Sequence, residues 1–346
     1  MDSGTGTNEG TNSMKKWIKR IGLGLVGLLA LAVIVGSVYE MMGRRAAAAT
    51  YPAPGKLVDI GGRRIDVDCR GTGTPIVVFE AGLDINGSLA WSAVHDSVAT
   101  TTRACAYSRA GIMWSDPHAG PQNAKLVAED LHAALGAAGE KPPYVLVGHS
   151  LGGPYIMTYT KYFGPEVAGL VFVDASHPDQ VERFKGYLPE PSMTMYKVAS
   201  ALSWTGMVRA VLARGGTSGS KEPVEAQKAM NAYASVSLGS MLKEEEALNE
   251  TLAEAGTFRQ LDKRPLFVLT AMAPPPKEML AALKMTEAQG KKFQELWKTM
   301  QDEEASWSSR SQHELVRDAT HYIQFDRPDI VVRAVRAVVD SVRATP

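Results

Sequence analysis

The sequence is poor in cysteine, in charge of one sign and in metal-binding motifs, and each shortage removes a class of function. Only Cys69 and Cys105 occur in 346 residues, and neither belongs to a CxxC pair. A zinc ribbon or a thioredoxin-like redox site is therefore unsupported. Lys plus Arg and Asp plus Glu both number 37, a formal net charge of zero. With no basic excess and no basic run interleaved with aromatics, there is no electrostatic footprint for nucleic acid. HExxH, Cys/His clusters and phosphate loops are all missing, so no metal or other cofactor is implied. Nothing in the pattern sets an oligomeric state.

What is present begins with a long hydrophobic run. Residues 1–20 read as a disordered, basic, cytoplasmic tail, polar and Gly/Thr/Asn-rich up to Ser13 and then carrying Lys15, Lys16, Lys19 and Arg20. An uncharged apolar stretch of 19 residues, 21–39, follows, close to the ~20 that cross a hydrocarbon core as a helix. Residues 21–41 are accordingly expected to be a single transmembrane signal anchor and 42–55 a linker. Four cations precede the run, and Arg44 and Arg45 follow it. That bias puts the N-terminus in the cytoplasm and the rest of the chain outside. The competing expectation is secretion after cleavage near Ala46–Ala48, but the run exceeds a usual h-region of ~7–15 residues. Gly22, Gly24 and Gly27 spell GxGxxG inside this run. The dinucleotide fingerprint needs a preceding strand, so these are small residues of a membrane helix.

Beyond the linker the chain alternates strand and helix. LVDI and RRIDVDC flank Gly61 and Gly62, a hairpin signal. PIVVFE, TRACAY, YVLVG, GLVFVD and PLFVLT are nearly continuous apolar runs, as strands covered on both faces should be. Helical spacing appears at Val127, Leu131, Ala134, Leu135 and Ala138. A last helix opens at Pro328, with Val331, Val335, Val338 and Val342 on one face. The expected fold is α/β: a mostly parallel sheet flanked by helices, comprising 56–177 and 264–346. Residues 178–263 lack a strand pattern and are expected to form a helical cap, with a flexible loop at 215–220. Cys69 and Cys105 both lie on strands. If those strands are neighbours a disulfide is possible, and two buried thiols are the alternative.

The motif that carries chemistry is Gly148-His149-Ser150-Leu151-Gly152, a GxSxG between an apolar strand and the helix-compatible run GGPYIMTYTKYF. A serine on a sharp strand-to-helix turn projects its hydroxyl above the sheet, and the flanking glycines avoid collisions with neighbouring elements. The turn also sits at a helix N-terminus, where unpaired N–H groups stabilise negative charge. The Leu151 N–H is the expected oxyanion donor, and one such donor is typically worth about 3 kcal/mol of barrier.

With this elbow the sequence resembles the α/β-hydrolase superfamily, specifically its lipase/esterase-like members with an inserted cap, over residues 56–344. VVFEAGLD resembles the strand and loop that supply a second oxyanion N–H, which maps to Leu83. CAYSRAGIMWSDP resembles a loop commonly written YDRxGxGxS, with Ser108 and Met113 where aspartate and the second glycine usually stand. ATHYIQFDRPDIV resembles the segment around the family's catalytic histidine.

A serine hydroxyl needs an adjacent base, and imidazole, with a pKa of about 6.5, suits the task. The chain has seven histidines: His95, His118, His132, His149, His177, His313 and His321. His321 precedes the last helix and gives the order Ser…acid…His that the resemblance implies. His149 is expected to point away. The family's commonest acid position, after PLFVLT, offers no aspartate, and Glu278 is the first acid there. The alternative position is Asp174 at the end of GLVFVD, which is favoured over Glu278 and Asp179. The expected activity is hydrolysis of a carboxylic ester, apolar or lipid-like, through an acyl-enzyme. An acyltransferase on the same residues and a non-catalytic binding protein on this scaffold are the alternatives. Met193, Met195, Leu202, Trp204, Met207, Met230 and Met241 of the cap either line an apolar pocket or pack cap on core. The expected partners are thus a small ester substrate and a membrane.

Overall fold

The structure is a computed structural model and describes residues 7–187, 193–215 and 221–345. It contains an eight-stranded sheet in the order β1-β2-β4-β3-β5-β6-β7-β8. The strands are β1 (Lys56–Asp59), β2 (Arg64–Arg70), β3 (Ile76–Glu80), β4 (Ala104–Ser108), β5 (Tyr144–His149), β6 (Val167–Val173), β7 (Leu266–Ala271) and β8 (Ser311–Val316). β1, β2 and β4 pair antiparallel, and from β4 through β3 to β8 the sheet is parallel. Every residue of β3, β4, β5 and β7 is buried, which is why their sequences lack alternation.

Among the described residues, ten helices of six residues or more flank the sheet, build the cap or form the N-terminal segment, and three shorter ones (His95–Ala99, Gln180–Arg183 and Ile323–Asp326) join them. In chain order the ten are α1 (Thr7–Thr50), α2 (Ala124–Ala138), α3 (Gly152–Tyr162), α4 (Thr194–Ala201), α5 (Met207–Gly215), α6 (Val224–Glu246), α7 (Leu248–Gly256), α8 (Lys277–Ala282), α9 (Glu287–Ala305) and α10 (Pro328–Arg343). α2 starts where Asn123 accepts from the Leu126 N–H and stops at the left-handed Gly139. α2 and α3 cover one face of the sheet through Leu131, Leu135, Ile156 and Met157. α10 covers the other through Val331, Val335, Val338 and Val339. Each such side chain contributes roughly 1.5–3 kcal/mol by leaving water. Strand residues alternate between the two layers: Tyr144 and Leu146 face α2 and α3, whereas Val145 and Val147 face α10.

Cys69 and Cys105 are register partners on β2 and β4 and form a disulfide. The expected two-residue hairpin at Gly61 and Gly62 joins β1 to β2, with both glycines at positive φ. Three expectations need correction. The tail is not wholly irregular, because α1 begins at Thr7; residues 1–6 lie outside the described residues. The linker is also shorter than 42–55, because α1 runs on to Thr50. Extending an existing helix is inexpensive, alanine favours it, and Pro52 and Pro54 supply the stop. Finally, 264–346 is not sheet and flanking helices alone: α8 and α9 intervene between β7 and β8 and stand over the sheet's C-terminal edge. The expected cap between β6 and β7 is helical, with α4 to α7 in it. The flexible loop expected at 215–220 lies, beyond Gly215, outside the described residues.

Candidate active site

Ser150 occupies the turn between β5 and α3 at φ +51°, a conformation costly for any residue but glycine. Its neighbours explain why the strain persists. A Cβ at Gly148 would come within 2.5 Å of the Gly152 carbonyl oxygen, and one at Gly152 within 2.5 Å of the Glu80 carbonyl oxygen. The chain can pass only if both are bare. Leu151 stands at the N-cap of α3, with its side chain buried. The loop after β3 abuts the elbow, since a Cβ at Gly82 would lie 3.0 Å from the Ser150 Cβ. Leu83 of that loop packs beside Leu151 and Tyr155.

Asp174 follows β6, also at positive φ (+45°), and is buried. One of its carboxyl oxygens accepts from the Ala271 N–H (2.9 Å) and from Trp297 Nε1 (2.8 Å). The other lies 2.7 Å from His321 Nδ1. Ser150, Asp174 and His321 line one cavity of about 420 Å³. The other two carboxyls considered are elsewhere. Asp179 binds Arg259 and Arg183, and Glu278 is exposed on α8.

The cavity walls are mostly apolar: Phe184, Pro276, Met279, Phe293 and Trp297 are prominent, with Gln180 and Gln294 among the polar members. None of Met193, Met195, Leu202, Trp204, Met207, Met230 or Met241 lines it. The wall opposite the sheet comes from α8 and α9. The α9 helix is amphipathic and carries no motif, so the part of Trp297 could not be read from sequence. Aromatic stacking of Phe184 on Phe293 (4.5 Å between centroids) and on Trp297 (5.8 Å) ties the short helix Gln180–Arg183 to α9.

His149 does not point away from the site. Its ring is buried 4.7 Å from that of His321, and its Nε2 donates to the His321 carbonyl oxygen at 2.9 Å. Burial, then the nearby His321 ring, holds its pKa well below the ordinary histidine value. His149 is therefore neutral and fixes the backbone from which His321 projects.

The loop resembling YDRxGxGxS has a structural task. Arg109 is buried and donates to the carbonyl oxygens of Ala81 (2.8 Å) and Gly82 (2.6 Å), to Glu80 and to Glu244 of α6. It ties the loop before Leu83 to the cap. Burial alone would lower its pKa, but the Glu244 and Glu80 carboxyls hold it well above its usual value. Burial pushes Glu80 up to about 7 in spite of Arg109. The carboxyl missing at Ser108 is supplied by Asp66, its register partner on β2, 3.1 Å from the Ser108 hydroxyl. Met113 holds φ +51°, the conformation that a glycine would adopt freely there.

Among the described residues, two groups bring three potential metal ligands together. Cys69, Cys105 and Glu140 include the disulfide. In the group His177, Asp179 and Glu303, guanidinium groups of Arg259 and Arg183 already occupy both carboxyls. Two such charges disfavour a cation there.

A family model described as the alpha/beta hydrolase family matches residues 67–334. Among solved structures, a thermophilic esterase from Thermogutta terrifontis superposes with a TM-score of 0.58 at 19% identity, covering 81% of this chain and 94% of that one. A probable transporter, efuK, of Hormonema carpetanum is 37% identical over 128 residues, which is 35% of this chain and 18% of its own. An uncharacterized protein, YbdG, of Bacillus subtilis (strain 168) is 25% identical over 171 residues, 49% of this chain and 53% of its own. The chain thus spans well under two thirds of these curated relatives.

Proposed function

Because the chain belongs to the α/β-hydrolase family, we propose that it is a serine hydrolase cleaving a carboxylic ester with an apolar acyl or alkyl part. The observation that carries this reading is the meeting of Ser150, His321 and Asp174 at one apolar cavity. His321 takes the Ser150 proton as the hydroxyl oxygen adds to the ester carbonyl. The Leu151 and Leu83 N–H groups receive the negative oxygen. His321 then gives its proton to the departing alcohol, and the acyl group stays on Ser150. Water, deprotonated by His321, adds to the acyl-enzyme, and as the acid leaves His321 returns that proton to the Ser150 oxygen. Asp174 holds the Nδ1 side of the imidazole, so that the other nitrogen faces the serine. Trp297 and the Ala271 N–H hold Asp174 in turn.

A neutral serine with a base suits ester addition, whereas epoxide opening on this fold uses a carboxylate nucleophile. Phe184, Phe293, Met279, Pro275 and Pro276 favour an apolar substrate. The N-terminal helix is proposed as a retained membrane anchor with the catalytic domain outside the cytoplasm. The Cys69–Cys105 disulfide suits an oxidising compartment. Retention is supported by Glu40, which is buried and bound by Arg209 and Ser235. Cleavage near Ala46 would strip that partner from Arg209.

A fluorophosphonate probe tests the reading. The full chain should be labelled at one site, and Ser150→Ala should not be. A folded wild type that fails to label would leave a binding protein on a hydrolase scaffold.

A further inference from the structure

From the last turns of the apolar run onward, one stripe of α1 is covered by the protein: Val33, Gly36, Ser37, Glu40, then Gly43 and Ala47. The spacing is helical, and the covering element is the cap. A Cβ at Gly36 would fall 2.1 Å from the Thr205 carbonyl oxygen, and one at Gly43 would fall 2.4 Å from Arg209 Nε. Arg209 Nε donates to Glu40 at 2.9 Å, Arg209 Nη1 to the Ala232 carbonyl at 2.9 Å, and the Ser235 hydroxyl to Glu40 at 2.7 Å. The turn Ser203–Thr205 and the first turn of α5 are thereby fixed to α1 at the level of its last apolar turn.

That level has a depth. The uncharged run, residues 21–39, has 19 residues, or about 28 Å of helix, against a hydrocarbon core of about 30 Å. A helix of that length has no slack with which to slide outward. Gly36 lies about 6 Å deeper than Glu40 at 1.5 Å per residue. Whatever touches Gly36 therefore enters the outer edge of the bilayer with it.

The surface of the cap at this place has the matching chemistry. Six large apolar side chains are exposed within residues 195–211: Met195 (76%), Tyr196, Val198, Trp204 (53%), Met207 and Val211 (61%). The described remainder of the chain past Thr50 has seven, scattered. Met207 and Val211 are one turn apart on α5, and Trp204 sits on the turn that touches Gly36. Tryptophan and tyrosine prefer the headgroup level, and a concentrated apolar patch on a water-soluble surface is costly.

From this contact and this patch we infer that α4, the Ser203–Thr205 turn and α5 are a membrane-seated surface. They lie in the outer interfacial layer of the same bilayer that α1 crosses. The cap is then held by lipid as well as by the core. The inference rests on the anchor proposed above and is independent of the reaction at Ser150.

The test uses the full chain, whose two native cysteines are bonded to each other, so that a third can be labelled alone. Val35→Cys, Trp204→Cys, Val211→Cys and Lys263→Cys each receive a nitrobenzoxadiazole group. Each protein is reconstituted in phosphatidylcholine–phosphatidylglycerol vesicles with a lipid quencher near the headgroup end of the acyl chain. Far-UV circular dichroism and a cooperative melt report folding of each variant. The expected result is strong quenching at 35, 204 and 211, several-fold above that at 263. Quenching at 35 with 204 and 211 as dark to lipid as 263 overturns the seating while leaving the anchor intact. No quenching even at 35 overturns both. A blue-shifted, unquenched signal at 204 and 211 that depends on protein density means that a second copy covers the patch, which also overturns it.

Discussion

At the elbow, the place of Ser150 is set by backbone against backbone. Gly152 faces the Glu80 carbonyl of a central strand, and Gly148 faces the Gly152 carbonyl. In the roof over the same cavity, position is set by long side chains reaching across loops. Trp297 reaches Asp174, Gln301 reaches the Ala175 carbonyl (2.7 Å) and Gln294 reaches the Ala273 carbonyl (2.8 Å). Backbone crowding admits glycine and little else, so it leaves a mark in the sequence. A side-chain contact can be made from many positions by several residue types and leaves none. The two regions should also fail differently: the elbow by exclusion, the roof by degrees.

The largest effect should come where the two regions meet. Asp174 is placed by the sheet and held by the roof. Asp174→Asn keeps the shape but offers His321 Nδ1 an amide, and kcat on a short-chain ester should fall by about 10⁴-fold. A loss below tenfold would mean that His321 is oriented by something else, and the proposed role of Asp174 would be lost. Next is Gly152→Ala. The added carbon has no room against Glu80, so the elbow must shift, and displacement of about 1 Å costs roughly 10²-fold in rate. Probe labelling of Ser150 should slow in parallel. If the variant reacts at the wild-type rate, the elbow is not held by exclusion.

Trp297→Phe should be milder. It keeps the aromatic wall and removes one hydrogen bond to Asp174. A bond to a charged group is worth about 1.5–3 kcal/mol, so kcat should drop by roughly tenfold at the lower figure and at most about 10²-fold at the upper, with KM little changed. A dominant effect on KM would assign Trp297 to substrate contact instead.

The same difference decides which features are legible in the sequence. The strands announce themselves as apolar runs because both faces are covered. The helix Pro328–Arg343 shows its Val331, Val335 and Val338 face as a period of 3.6. The turn that holds Ser150 was readable because Gly148 and Gly152 must flank it, and the place of Asp174 because it follows a buried strand. Trp297 was not readable, since nothing in α9 says which residue reaches the sheet. The cap methionines left two readings open for a similar reason: apolar side chains mark contact with something apolar, not which surface provides it. Glu40 was hidden because its partners, Arg209 and Ser235, are distant in sequence.

The smallest effect is one of slope, and it separates the regions by pH. His149 is buried and neutral in the folded chain, with its pKa held well below 6.5 by burial and by His321. In the unfolded chain it takes up a proton near pH 6.5. As pH falls below that value the unfolded state binds a proton that the native state refuses, so stability declines with acidification. One such group contributes up to about 1.4 kcal/mol per pH unit. His149→Gln can still donate to the His321 carbonyl but cannot titrate. Its urea midpoint, taken relative to the wild type, should therefore stand higher at pH 5.5 than at pH 7.5, whatever offset the substitution brings. Trp297→Phe should instead shift the midpoint by one amount at both pH values, because no titrating group is removed from the roof. Parallel pH profiles for the wild type and His149→Gln would mean that His149 is hydrated enough to protonate in place, and the elbow would lose its claim to be the more tightly closed of the two regions.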